Sequence, residues 1–183
     1  MGNKQCAKLA ERLWASVNQP KTDYSRKNFI NSAFTSTQRN AIKTTNVVNN
    51  NNIYSGTMGG KNTSDKVFLL SESEVYKTDA AAGYGFVKDY ENESTYIEST
   101  DDEARRSRCS TYAYAMGTWR GHDTDAEYTK YNGNIYWWLR SPGDNSDSAA
   151  VVYSYGWGYR YGYDVYYSYG GGVRPALHLN LQS

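Results

Sequence analysis

The sequence predicts an α+β domain. Helical patterns prevail up to residue 116, strand patterns prevail after residue 131, and residues 153–163 alternate aromatic with small or polar side chains. At 183 residues the chain can bury one ordinary core, so 1–183 reads as a single domain.

Residues 6–18 read as the first helix. Leu9, Leu13 and Val17 share one face, Ala10 and Trp14 widen it, and Pro20 stops it. Thr35-Ser36-Thr37-Gln38 has the form of a capping box and opens a second helix through Lys43. The asparagine run Asn49 to Asn52 reads as part of a solvated loop that ends in Gly56, Gly59 and Gly60. Asp65 to Leu70 is the first buried strand, and Ser71-x-x-Glu74 behind it is a second capping box with a short helical turn. Residues 80–98 carry no clear pattern. Asp101 or Asp102 caps a third helix that runs to Met116 and ends at Gly117. On it, the Arg105-Arg106-Ser107-Arg108 cluster reads as a solvated face.

Tyr131-Asn132-Gly133-Asn134 signals a hairpin turn. It feeds an aromatic strand, Ile135 to Arg140, in which Trp137, Trp138 and Leu139 suit a core. Arg140 and Arg174 suit structural hydrogen bonds or salt bridges. Pro142-Gly143 ends that strand, 144–148 is a polar loop, and Ala149 to Val152 leads straight into the aromatic tract. Val173, Ala176, Leu177, Leu179 and Leu181 suit a last strand tucked into the core.

The tract itself, Tyr153 to Tyr169, holds eight of the 19 tyrosines. Tyr153, Tyr155, Trp157, Tyr159, Tyr161 and Tyr163 alternate with Ser154, Gly156, Gly158, Arg160 and Gly162. In an extended segment that places one aromatic face opposite one small or polar face, because strand side chains point to opposite sides in turn.

Composition narrows the function classes. Basic and acidic residues nearly cancel, at 20 against 19, so no global field favours nucleic acid. Cys6 and Cys109 make neither a disulfide framework nor a zinc site, and sequence leaves open whether they meet. His122 and His178 have no neighbours spaced for metal ligation, so no metal or other cofactor is expected. No run of 18 apolar residues offers a membrane span, and the N-terminus lacks the apolar stretch of a signal peptide.

The motifs WWLRSPG (Trp137 to Gly143) and GVRPAL (Gly172 to Leu177), with the Tyr-, Asn-, Ser-, Asp- and Gly-rich stretch between them, resemble the C-terminal half of variable proteins diversified by diversity-generating retroelements. DKVFLLSESEV and YAYAMG upstream also resemble that domain family, so the likeness spans roughly residues 65–181. It implies a C-type lectin fold: two main helices, a small twisted antiparallel sheet and long loops. It also implies that asparagine codons in about 144–172 are rewritten to Tyr, Asp, Ser, Gly or Arg, with Trp157 outside that rule. No calcium-ligating triplet of the sugar-binding lectins is present, so calcium-dependent sugar binding is not implied.

Tyrosine suits a binding face, since it offers a flat apolar body and a hydroxyl while losing little rotamer freedom. Nine aromatics covering about 100 Å² each make roughly 900 Å², one partner's share of a standard interface. The expected ligand-binding residues are Tyr153, Tyr155, Trp157, Tyr159, Arg160, Tyr161, Tyr163, Asp164, Tyr166, Tyr167 and Tyr169, joined by Asp144, Asn145 and Asp147 of the preceding loop. Trp157 and Val165 are the members expected to face inward. The alternative is that the tyrosines are core, although a core favours Val, Ile and Leu and each buried phenol needs a partner.

The expected function is therefore non-enzymatic binding of a protein or glycan on another cell or particle, at a virion or cell surface, with no nucleic-acid partner and no membrane insertion. The oligomeric state is left open. One rival is an enzyme or fixed-ligand domain like the formylglycine-generating enzymes, whose paired cysteines are not matched in the C-terminal region. A nucleic-acid binder is another, and it lacks a basic groove around residues 150–175.

Overall fold

The computed structural model describes residues 28–52, 54–77, 84–86, 103–166 and 170–180. The expected helix over 6–18 and the binding residues Tyr167 and Tyr169 lie outside the described residues.

Two short helices come first, α1 (Phe29–Ala33) and α2 (Ser36–Ala41). The capping box at α2 forms as its sequence predicts. Thr35 accepts from the Gln38 backbone at 3.3 Å, while Gln38 accepts from the Thr35 backbone at 2.9 Å. α2 stops at Ala41, because the next two residues enter a strand. Strands β1 (Ile42–Lys43), β2 (Thr45–Val47), β3 (Thr63–Asp65) and β4 (Phe68–Leu69) follow. A helical turn at Ser73–Lys77 comes next, entered through the second capping box: the Ser71 N–H donates to Glu74 at 2.8 Å.

The expected third helix does not form as one piece. A 3-10 turn at Glu103–Arg105 gives way to β5 (Ser107–Arg108), and only then does α3 (Thr111–Ala115) begin, capped by Ser110 at 3.0 Å. Two demands break it. The β5 backbone pairs with β6 (Asn134–Ile135), and the Arg105 side chain is wholly buried rather than solvated.

The C-terminal half builds the main sheet, β7 (Trp137–Pro142), β8 (Ser148–Val152) and β9 (Gly158–Asp164), antiparallel in that order. The last strand is split. β10 (Pro175–Ala176) pairs with β4, and β11 (His178–Leu179) pairs with β1. Val173 and Leu179 are exposed there, against the expectation of a core strand.

Five small antiparallel sheets therefore make up the described chain, and its longest helix has six residues. This corrects the expected architecture of two main helices beside one sheet. Among the described residues, the helical patterns at 36–43 and 103–116 are cut short by strand pairings with distant segments, and tertiary pairing overrides local propensity.

Trp137, Leu139, Ala150 and Val152 on one face of the main sheet meet Val47, Phe68, Leu70, Val75 and Phe86 to form the core. Trp137 is fully buried, and its indole N–H donates to the Arg105 carbonyl at 2.9 Å. Truncating such a residue costs roughly 3–5 kcal/mol. Trp138, expected in the core, is half-buried on the opposite face, where the strict alternation of β7 sends it.

Candidate functional site: a backbone-held aromatic face

The aromatic tract is not one strand. It folds into a hairpin, because Gly156 takes φ +98° and reverses the chain. The Tyr153 N–H donates to the Trp157 carbonyl at 2.7 Å, and the Gly156 N–H donates to the Tyr153 carbonyl at 2.9 Å. This is the three-residue hairpin loop in which a glycine in the left-handed region closes the turn. A second irregularity sits in β9. Ala149 pairs with Tyr163 and Val151 with Tyr159, so Gly162, at φ +70°, bulges the strand.

The hairpin folds tyrosines that are distant in sequence against one another. The Tyr153 ring lies 5.2 Å from that of Tyr159 and 6.0 Å from that of Tyr163, and the Tyr163 phenol donates to the Tyr153 oxygen at 3.1 Å. Tyr136 extends the layer, 5.5 Å from Tyr163 and 5.9 Å from Trp138. Directly paired residues share a face, so Val151, opposite Tyr159 and fully buried, lies beneath these rings. The layer is thus both a lid on Val151 and an outer surface. Tyr153, Tyr155, Trp157, Tyr159 and Tyr161 are half-buried in it, while Tyr163 and Tyr166 are exposed.

The opposite face holds Ser154, Gly156, Gly158 and Arg160, all buried. Arg160 was expected to contact ligand. It lies instead under the surface, with its guanidinium 3.4 Å from the Tyr54 ring centre and its Nε 3.9 Å from the Glu72 carboxylate. Burial pulls its pKa down to about 10, which leaves it cationic at neutral pH. Val165, expected to face inward, is 39% exposed. Trp157 is half-buried, and its indole nitrogen is covered without a hydrogen-bond partner among the described residues.

What grips the tract is the scaffold, and it grips main chain. Asn134 donates to the Ser154 carbonyl at 3.0 Å, Arg106 to the Tyr155 carbonyl at 3.1 Å and Arg105 to the Gly156 carbonyl at 3.4 Å. Three consecutive carbonyls of the turn are each met by a side chain from outside the tract. Farther along, the Asn52 amide lies 3.0 Å from the Arg160 carbonyl, and 3.1 Å from those of Pro142 and Gly143. Asn52 was expected in a solvated loop, yet it is 2% exposed. A carbonyl is the same at every residue, so these bonds do not depend on which side chains the tract carries.

The remaining expected residues lie at the other end of the sheet. Asp144, Asn145 and Asp147 are exposed in the β7–β8 loop, and Asp164 is half-buried beside it. The Asp147 carbonyl accepts from the Val165 N–H at 2.8 Å, and the Tyr166 phenol hydrogen-bonds the Asp147 carboxylate, which pushes that phenol's pKa up. Five residues of β8 separate this loop from the hairpin, about 17 Å at strand spacing. The expected residues therefore form a face with two ends rather than one point.

Sequence reasoning missed a cleft at the hairpin end. It has a volume of about 400 Å³ and runs between Tyr155 and Ser154 on one side and residues 119–132 on the other. Tyr155 lies 4.9 Å from the Tyr131 ring and 5.3 Å from that of Tyr128. Burial raises the Tyr155 pKa, and the nearby Asp123 carboxylate adds to it. The sequence gives no periodic signal there, since 118–124 is irregular and 125–131 forms a turn and a short 3-10 helix.

Among the described residues no helix is long and apolar enough to cross a membrane. No curated protein and no solved structure matches the chain. A family model described as a domain of unknown function (DUF6273) matches residues 21–181, and the chain belongs to that family.

Proposed function

We propose that this protein is a non-enzymatic binder whose tyrosine-rich face contacts a protein or glycan on another cell or particle, and whose residues 144–172 are diversified by a retroelement. Its place is a virion or cell surface. The observation that carries the reading is the grip on main chain. Asn134, Arg106, Arg105 and Asn52 hold the tract through carbonyls, while Tyr153, Tyr159, Tyr161 and Tyr163 lie on the face opposite the buried Arg160. Exposed aromatic area of this kind is also what interfaces use, because Tyr combines a rigid body with a polar tip.

The test is to sequence the DNA around the gene in sibling isolates. A near-copy of codons 144–175 beside a reverse-transcriptase gene, differing almost only at adenines, is the expected result. The variable codons should then fall on outward positions such as 153, 155, 159, 161 and 163, and spare Gly156 and Gly162. An invariant segment with no such copy contradicts the diversification, and leaves a face for one fixed ligand.

A further inference from the structure

We propose that the cleft at the hairpin end is a subsite for a neutral saccharide ring, formed by Tyr155, Trp119, Tyr128 and Asp123. This rests on the binding role just proposed and specifies the chemistry of one part of that face.

Both walls of the cleft are set by one residue. The Asn134 carbonyl accepts from the Gly121 N–H at 2.8 Å, while its side-chain amide donates to the Ser154 carbonyl at 3.0 Å. The far rim is locked again by Asn132, which accepts from the Asp123 N–H at 2.6 Å and donates to the Asp123 carbonyl at 2.9 Å. The site is therefore built before any ligand arrives, which spares the ordering cost of binding.

Its chemistry mixes two kinds of wall. Tyr155, Tyr128 and the 42% exposed Trp119 offer flat apolar rings. Facing them, Asp123 uses one carboxylate oxygen to accept from the Asp125 N–H at 3.0 Å, and its other oxygen takes no hydrogen bond from the described residues. Thr124 and His122 add polar groups beside it. A pyranose has the matching anatomy: a C–H face that lies on an aromatic ring and hydroxyls that donate to a carboxylate. The volume, about 400 Å³, is at the small end of the range for ligand clefts, roughly 300–1,000 Å³, and admits a sugar ring rather than a protein loop.

Two rivals fit less well. An anionic ligand would meet the Asp123 carboxylate across the cleft. A quaternary ammonium wants several free ring faces around one point, but Tyr131 already carries Arg106 at 5.0 Å and Lys130 at 4.9 Å from its ring centre.

The experiment is saturation-transfer NMR on the full chain with a panel of neutral methyl hexosides, methyl glucuronide and choline. Transfer to at least one neutral hexoside is expected, with little to glucuronide or choline. Asp123→Asn should weaken it roughly tenfold or more, the loss of one charged hydrogen bond. That variant retains an oxygen for the Asp125 N–H, so the fold is kept. Trp119→Ala should abolish transfer, and Met58→Ala, at an exposed residue outside the cleft lining, should leave it unchanged. No transfer to any neutral hexoside, transfer to choline instead, or full transfer in Asp123→Asn would overturn the proposal. The adenine-directed near-copy and the binding role of the sheet face would survive that result, so the two readings fail separately.

Discussion

The side-chain amide of Asn134 donates to the main-chain carbonyl of Ser154 at 3.0 Å, both residues being buried. A residue outside the aromatic tract thus holds the turn of the tract through its main chain. Replacing Asn134 by Ala strands a buried carbonyl and should cost about 1–3 kcal/mol. Chemical denaturation would read that loss. Asn134→Asp, which keeps the shape but loses the donor, should cost at least as much.

Gly162 makes a separate prediction about the bulge. At φ +70° a side chain is strained, and its Cβ would lie 1.9 Å from the Ala149 carbonyl oxygen. Gly56 has nearly the same φ, +72°, but open space around it. Gly56→Ala should therefore show the conformational strain alone, roughly 1–2 kcal/mol. Gly162→Ala should exceed it clearly, and equal melting temperatures for the two would contradict the packing described.

The Glu74–Arg140 ion pair should shape acid stability. Burial raises the Glu74 pKa, but hydrogen bonds from Arg140 and Ser71 and the Arg140 charge outweigh it and hold the carboxyl below its usual 4.5. A depressed folded-state pKa contributes stability that is complete above about pH 4.5 and lost as pH falls through the folded value. Glu74→Gln should flatten that acid limb. Arg140 also holds the Leu69 carbonyl at 2.8 Å and the Val48 carbonyl at 3.1 Å, so Arg140→Ala should destabilise more than Glu74→Gln.

Tyr136 should contribute on the alkaline side. Burial lifts its phenol to about 12, so the folded state keeps it neutral where an unfolded tyrosine has begun to ionise. Its contribution is complete below pH 10 and lost as pH rises from 10 towards about 12. Ultraviolet titration should show a late-ionising phenol that disappears in Tyr136→Phe.

Local signals were the legible part of this fold. Both capping boxes formed where Thr35 and Ser71 stand, because a cap is decided within four residues. The alternation of aromatic with small residues correctly placed Ser154, Gly156 and Gly158 opposite the tyrosines. Its hairpin could not be read, since Gly156, Gly158 and Gly162 look alike in sequence and only Gly156 and Gly162 adopt positive φ. Asn52 has three asparagine neighbours with the same chemistry, and only its position in the fold brings it to the carbonyls of Pro142, Gly143 and Arg160. Arg105 sat in a charged cluster that has the composition of a surface, and nothing local distinguishes a buried guanidinium from a solvated one.

The central claim is that the tract is held by its backbone and leaves its outward side chains free to change. Two displayed libraries measure this most directly, one randomising Tyr153, Tyr155, Tyr159, Tyr161 and Tyr163, the other Ser154, Gly156, Gly158, Arg160 and Gly162. Protease resistance would score folding in each. The account predicts that most outward variants stay folded and that most inward variants do not. Equal survival of the two libraries, or collapse of the outward one, would contradict it.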